Sequence, residues 1–174
     1  DTAAVYGLGH SEEVIGRALK SAVTRPFIAT KCGLPWNDRR RISPRLTRQS
    51  VRNELEASLR RLDVEVIDLY QIHWPNPERH IEEAWEEIAR LADEGKIRYA
   101  GVSNFTVDQL RRIQPIHPVA SVQPPYSMLN RAAEQELLGY CAQNRIGVIV
   151  YSPMQKGLLT GTMTRERIAG FAVD

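Results

Sequence analysis

Five positions in this chain could do polar chemistry together. Lys31, His73, the pair Ser103-Asn104, Gln123 and the pair Tyr151-Ser152 each close a short apolar run. Lysine and histidine supply protons and hold a polarised oxygen. Serine, asparagine and glutamine side chains hydrogen-bond a carboxamide. A tyrosine ring offers a flat face to a heterocycle. The set suits a nicotinamide ring and a proton donor. Taken singly, each residue has an ordinary role, such as a solvated lysine, a packed histidine beside Trp74 or a turn-capping asparagine. Their recurrence at five successive run ends is what points to a site.

Other chemistries lack their residues. His10, His73, His80 and His117 show no H-x-x-x-H spacing, and Cys32 and Cys141 form no ligand cluster, so no metal is expected. Gly101-Val102-Ser103 continues as Asn104-Phe105, which is not a G-x-S-x-G elbow. No carboxylate pair ends the apolar runs, so glycoside hydrolysis is not favoured. Gly7-Leu8-Gly9 runs into His10-Ser11-Glu12 without the third glycine of a dinucleotide fingerprint.

The elements that must position these residues alternate. Val14, Ile15, Ala18, Leu19 and Ala22 recur at helical spacing, with Ser11-Glu12-Glu13 as the expected start. Pro26–Thr30 reads as a strand running up to Lys31, followed by a polar loop over about 32–46. Val51, Leu55, Leu59 and Leu62 mark a helix, and 66–72 a strand ending at His73. Ile81, Ala84, Trp85, Ile88 and Leu91 mark a third helix, stopped near Gly95. Ile97–Val102 is a strand, and Thr106 with Gln109 forms a capping box. Val119–Gln123 is a strand, Leu137, Leu138 and Cys141 mark a helix, and Gly147–Tyr151 is the fifth strand. Such alternation predicts an α/β protein with a parallel sheet covered by helices. In parallel folds, functional groups gather at the C-terminal strand ends, where these polar residues fall. An open doubly wound sheet and a (β/α)₈ barrel both fit. A barrel would be incomplete, with about five or six β/α units present.

Composition sets the bounds. The chain has 174 residues, 43% hydrophobic and 25% charged, with a net charge of +2. This suits one folded domain over 1–174 and gives no reason to expect nucleic acid. No segment approaches the roughly 20 apolar residues of a membrane helix, and no signal peptide is visible. Two cysteines without partner spacing read as reduced thiols of a cytoplasmic protein. Arg39-Arg40-Arg41 reads as a solvated loop.

The motifs resemble those of the aldo-keto reductases. The matching stretches are Asp1–Gly7, Ala29-Thr30-Lys31, Leu69–Pro75, Gly95–Arg98, Gly101–Phe105, Gln123–Tyr126 and Tyr151-Ser152-Pro153. They span nearly the whole chain in the family's order. The resemblance implies a (β/α)₈ TIM barrel with NADP(H) across its C-terminal face. It implies a catalytic set of Asp1, Tyr6, Lys31 and His73, with Tyr6 as general acid and Lys31 lowering its pKa. Ser103, Asn104 and Gln123 would bind the carboxamide, and Tyr151 would lie against the nicotinamide. Ser152, Pro153, Met154, Gly157 and Leu158 would line the diphosphate. The implied activity is reversible, NADPH-dependent reduction of an aldehyde or ketone to an alcohol. Trp36 and Trp74, just past strand ends, could wall an apolar substrate pocket. They could equally pack loops on the barrel. The segment from Tyr151 to Gly157 is similar to the subgroup containing potassium-channel β-subunits, so a nucleotide-binding regulatory subunit is the alternative. Those relatives carry Asn where this chain has His73. An inactive fragment is the third reading. The family's first strand, most of its second, its eighth strand and its basic 2′-phosphate segment have no counterpart here. The chain is therefore expected to be a piece of a longer protein, exposing two sheet edges. The preference for NADP over NAD comes from the resemblance alone.

Overall fold

Five parallel strands lie side by side in chain order in the computed structural model, which describes residues 1–170. They are β1 (Ala29–Cys32), β2 (Ile67–Ile72), β3 (Ile97–Ser103), β4 (Ser121–Gln123) and β5 (Gly147–Val148). The helices are α1 (His10–Leu19), α2 (Arg48–Leu62), α3 (Ile81–Asp93), α4 (Val107–Ile113), α5 (Leu137–Asn144) and α6 (Arg165–Ala169). Each consecutive strand pair is joined by a helix, as parallel pairing demands.

One face of the sheet packs on the helices. Tyr70, Ile72, Val102 and Val122 meet Leu55, Trp85, Ile88 and Leu110 in the core. Every residue of β2 is buried, which explains its nearly continuous apolar reading. Two of its buried residues, Gln71 and Asp68, are polar, and Asp68 is the charged one. Its buried carboxylate takes the Ile28 N–H at 2.8 Å and the guanidinium groups of Arg25 at 2.7 Å and Arg98 at 3.0 Å. These bonds tie the start of β1 to β2 and β3.

The other face is polar. Register aligns Lys31, Gln71, Gly101, Ser121 and Gly147 in one row across all five strands. Gly101 fits there closely, because a Cβ would meet Ser121 Oγ at 2.7 Å and Leu69 Cδ1 at 3.0 Å. This row lies directly below the ends of β2, β3 and β4.

Several boundaries differ from those expected. α1 starts at His10 behind Gly9, whose φ of 98° lets the chain turn sharply out of the preceding loop. Ser11 does not cap it; its hydroxyl bonds the Thr2 hydroxyl at 2.8 Å. β1 lies two to three residues later than Pro26–Thr30, so Lys31 sits inside the strand. β4 begins at Ser121 rather than Val119. β5 pairs only over Gly147–Val148, because its neighbour runs out at Pro124-Pro125; Tyr151 keeps an isolated bridge to Pro125. The capping box of Thr106 and Gln109 forms as expected. No helix among the described residues is long and apolar enough to cross a membrane.

Candidate active site

The N-terminal segment runs beside β1. The Thr2 N–H donates to the Ala29 carbonyl and the Ala4 N–H to that of Lys31. This edge pairing delivers Asp1 to Lys31. The lysine ammonium donates to both Asp1 carboxylate oxygens, at 2.9 and 3.0 Å, and to the Thr2 carbonyl at 2.9 Å. Three acceptors hold a side chain that is only 1% exposed.

Residues 4–9 then form a turn that returns Tyr6 above the same strand. The Lys31 ammonium lies 5.7 Å from the centre of the Tyr6 ring. The His73 ring, at the end of β2, meets Tyr6 edge to face at 5.7 Å. Four residues remote in sequence thus form one cluster of Asp1, Tyr6, Lys31 and His73.

Burial governs its electrostatics. It pushes the Lys31 ammonium down to about 8. His73 is lowered to about 4, by burial first and by the Lys31 charge second, so it is neutral at pH 7. The Tyr6 phenol moves upward, through burial and the neighbouring Tyr151. The expected lowering by Lys31 does not appear in this arrangement. The ammonium directs its bonds to Asp1 and Thr2 rather than to the phenol.

The second group lies beside His73 at the ends of β3, β4 and β5. Asn104, at φ 63°, donates from Nδ2 to the His73 carbonyl and to Ser103 Oγ, both at 3.0 Å. Its Oδ1 accepts the Tyr151 hydroxyl at 2.8 Å. Ser103 Oγ donates to the Gln123 carbonyl at 2.8 Å. Ser103, Asn104, Gln123 and Tyr151 are therefore contiguous with the cluster.

Ser152, Pro153, Met154, Gly157 and Leu158 follow on a turn over 152–160. Ser152, Gln155, Lys156 and Gly157 all have positive φ. The Gln155 and Gly157 N–H groups donate within the turn, to the Ser152 and Met154 carbonyls, and Lys156 adds a cation that the sequence reading did not single out.

The two tryptophans are not brought together. Trp74 lines an open cavity of about 480 Å³ with Asn104, Phe105, Pro124, Leu137 and Tyr151. Trp36 lies under the Arg61 guanidinium at 5.5 Å. It lines a separate cavity of about 300 Å³ with Ala4, Glu54 and Ala57. Among the described residues no group of three or more metal-ligating side chains occurs. Cys32 and Cys141 are buried free thiols.

Comparison with known proteins defines the class. The profile of the aldo/keto reductase family matches residues 1–172, and the chain belongs to that family. It is 42% identical to the aldo-keto reductase YhdN of Bacillus subtilis (strain 168), over 95% of this chain and 50% of that protein. It is 38% identical to the NADH-specific methylglyoxal reductase of Escherichia coli (strain K12), over 99% of this chain and 57% of that protein. The chain spans about half the length of the curated relatives it matches. Its fold superposes on the glycerol dehydrogenase of Gluconobacter oxydans with a TM-score of 0.92 and 40% identity, covering all of this chain and 53% of that one. A Klebsiella pneumoniae aldo/keto reductase in complex with NADP and acetate superposes at 0.74 with 30% identity, covering 91% and 54%. The five-stranded sheet is thus part of the family's barrel.

Proposed function

We propose that the protein reduces an aldehyde or ketone to an alcohol with NADP(H), through Asp1, Tyr6, Lys31 and His73. The observation that carries this reading is the buried Lys31 ammonium, held by Asp1 beneath a phenol that also faces an uncharged imidazole. A reduced nicotinamide, when bound, supplies a hydride to the carbonyl carbon. The chain's residues supply the rest. Tyr6 gives its proton to the carbonyl oxygen. Its raised pKa keeps the phenol protonated across the neutral range. Lys31 places a positive charge below the ring, where it stabilises the phenolate left after transfer. Asp1 and the Thr2 carbonyl keep that ammonium in one position. Neutral His73 donates to the same oxygen without bringing a second charge beside Lys31.

The second group fits the cofactor. Ser103, Asn104 and Gln123 carry hydroxyl and amide groups suited to a carboxamide, and the Tyr151 ring suits stacking on the nicotinamide. The turn over 152–158, with Ser152, Pro153, Met154, Gly157 and Leu158, carries the Lys156 cation, which suits a diphosphate. The structure bound to NADP and the relative named for NADH both support a nicotinamide cofactor; NADP(H) is our choice between them. The cavity beside Trp74, which adjoins Asn104 and Tyr151, would take the substrate. Trp36, under Arg61 and lining a separate cavity, is assigned to packing. Free buried thiols support a reducing compartment such as the cytoplasm.

The test is NADPH consumption with an aromatic aldehyde by the protein and by Tyr6→Phe. Turnover that falls at least about 10²-fold in the variant supports the reading. Equal turnover in the two, or none in either, overturns it.

A further inference from the structure

We infer that Glu12, with Thr30 and Arg61, is a positioning device that sets the loop carrying Tyr6 against the strand carrying Lys31. The inference rests on the reaction proposed above. Glu12 is fully buried on the first turn of α1, just after the Tyr6 loop. One carboxylate oxygen accepts the Thr30 hydroxyl at 2.5 Å, and the other accepts Arg61 Nε at 2.7 Å. Thr30 is the residue before Lys31. Arg61 belongs to the last turn of α2. The carboxylate therefore joins three elements at one point.

A merely helix-stabilising acid does not require this placement. Glu13, its neighbour, is exposed and serves the helix N-terminus from solvent. Glu12 instead gives up hydration and gains two short, directional, charge-assisted bonds. Buried ion pairs of this kind contribute little net stability, but they can select one register. The packing around Arg61 shows how narrow that register is. A Cβ at Gly9 would meet Arg61 Cδ at 2.7 Å, and one at Gly16 would meet the Arg61 carbonyl oxygen at 2.5 Å. Both glycines belong to the loop and helix that follow Tyr6. The loop's opposite side is held by the Thr2 and Ala4 amides on β1, and its end by the Gly9 N–H on the Ala4 carbonyl. Glu12 closes this ring of contacts from the helical side. No atom of the clamp belongs to the reacting cluster, so it acts through Tyr6 and Lys31.

Thr30 permits a test that separates positioning from packing. Thr30→Val keeps the shape and removes the hydroxyl. Thr30→Ser keeps the hydroxyl and removes a buried methyl group. A positioning role predicts that Thr30→Val lowers kcat about tenfold and leaves the cofactor KM within about twofold, because Ser103, Asn104 and Gln123 are untouched. It also predicts faster hydrogen exchange at the Ala4 amide. Thr30→Ser should restore kcat and exchange to within about threefold of the parent, even where its melting temperature is the lower of the two. Equal kcat in the two variants, or a kcat that follows melting temperature, overturns the clamp while leaving the proposed reaction standing. Absence of turnover in the parent overturns the reaction and the clamp with it.

Discussion

Replacing Glu54 by glutamine should stabilise the protein above neutral pH and not below pH 5. Glu54 lies on α2 with its carboxyl turned under the chain that leaves Lys31. It accepts the Gly33 N–H at 3.0 Å and the Ser50 hydroxyl at 3.1 Å. Burial raises its pKa from 4.5 to about 7, against the lowering effect of those bonds and of Arg61. A carboxyl whose folded pKa is raised binds more protons folded than unfolded between the two values. Stability from this group is then full below pH 4.5 and is lost as pH rises through about 7. At about 1.4 kcal/mol per unit, a shift of this size costs at most about 3 kcal/mol at pH 8. Glutamine keeps the shape and an acceptor for Gly33 and carries no charge. Its amide must still fit the Ser50 hydroxyl, so a net gain of about 1–2 kcal/mol at pH 8 is expected. At pH 4.5 the gain should vanish or become a loss of up to about 1 kcal/mol. Urea unfolding of parent and variant at both pH values reads the difference directly, and other titrating groups cancel between the two proteins. A variant destabilised equally at pH 4.5 and pH 8 would refute the reasoning, since the carboxyl would then be in one charge state throughout.

Four further outcomes follow from named contacts. His73→Asn should lower kcat by about 10²–10³-fold, read as initial rates at saturating cofactor, because one neutral donor to the developing oxyanion is displaced. Since the folded pKa of His73 is depressed to about 4, its contribution to stability should be lost as pH falls from about 6.5 to 4, visible as a shallower acid melt in the variant. Asp68→Ala should cost about 1–3 kcal/mol in urea unfolding, because it strands the buried Ile28 N–H, whereas Arg25 and Arg98 are exposed enough to rehydrate. Gly101→Ala should cost about 1–3 kcal/mol, as the added methyl group must displace Ser121 and Leu69.

Much of the fold was legible because its signals are local. Apolar residues in α2 and α3 recur with a single period, and the run over 66–72 reads as a strand ending at His73. The family motifs also bring Asp1, Tyr6, Lys31 and His73 together by name. Other features depend on contacts no period can report. The end of β5 falls where the neighbouring chain passes out of β4 into Pro124-Pro125. The start of α1 is set by a left-handed glycine that the Arg61 side chain crowds. Trp36 and Trp74 look alike in sequence, each just past a strand end, yet Arg61 draws one to α2 while the other stays above β2. Glu12 reads as an ordinary first-turn acid, and only the approach of Thr30 and Arg61 reveals its burial. The upward displacement of the Tyr6 phenol likewise follows from burial, which residue identity alone does not convey.

The central claim is that hydride arrives at a carbonyl carbon while Tyr6 protonates the oxygen. The most direct measurement is isotopic. The protein is given NADPH deuterated at the transferring carbon together with an aromatic aldehyde, and the alcohol is analysed by mass spectrometry beside the product of Tyr6→Phe. The account predicts one deuterium on the carbinol carbon with the parent and at least about a 10²-fold slower yield with the variant. Unlabelled alcohol, or labelled alcohol formed equally fast without the Tyr6 hydroxyl, would contradict it.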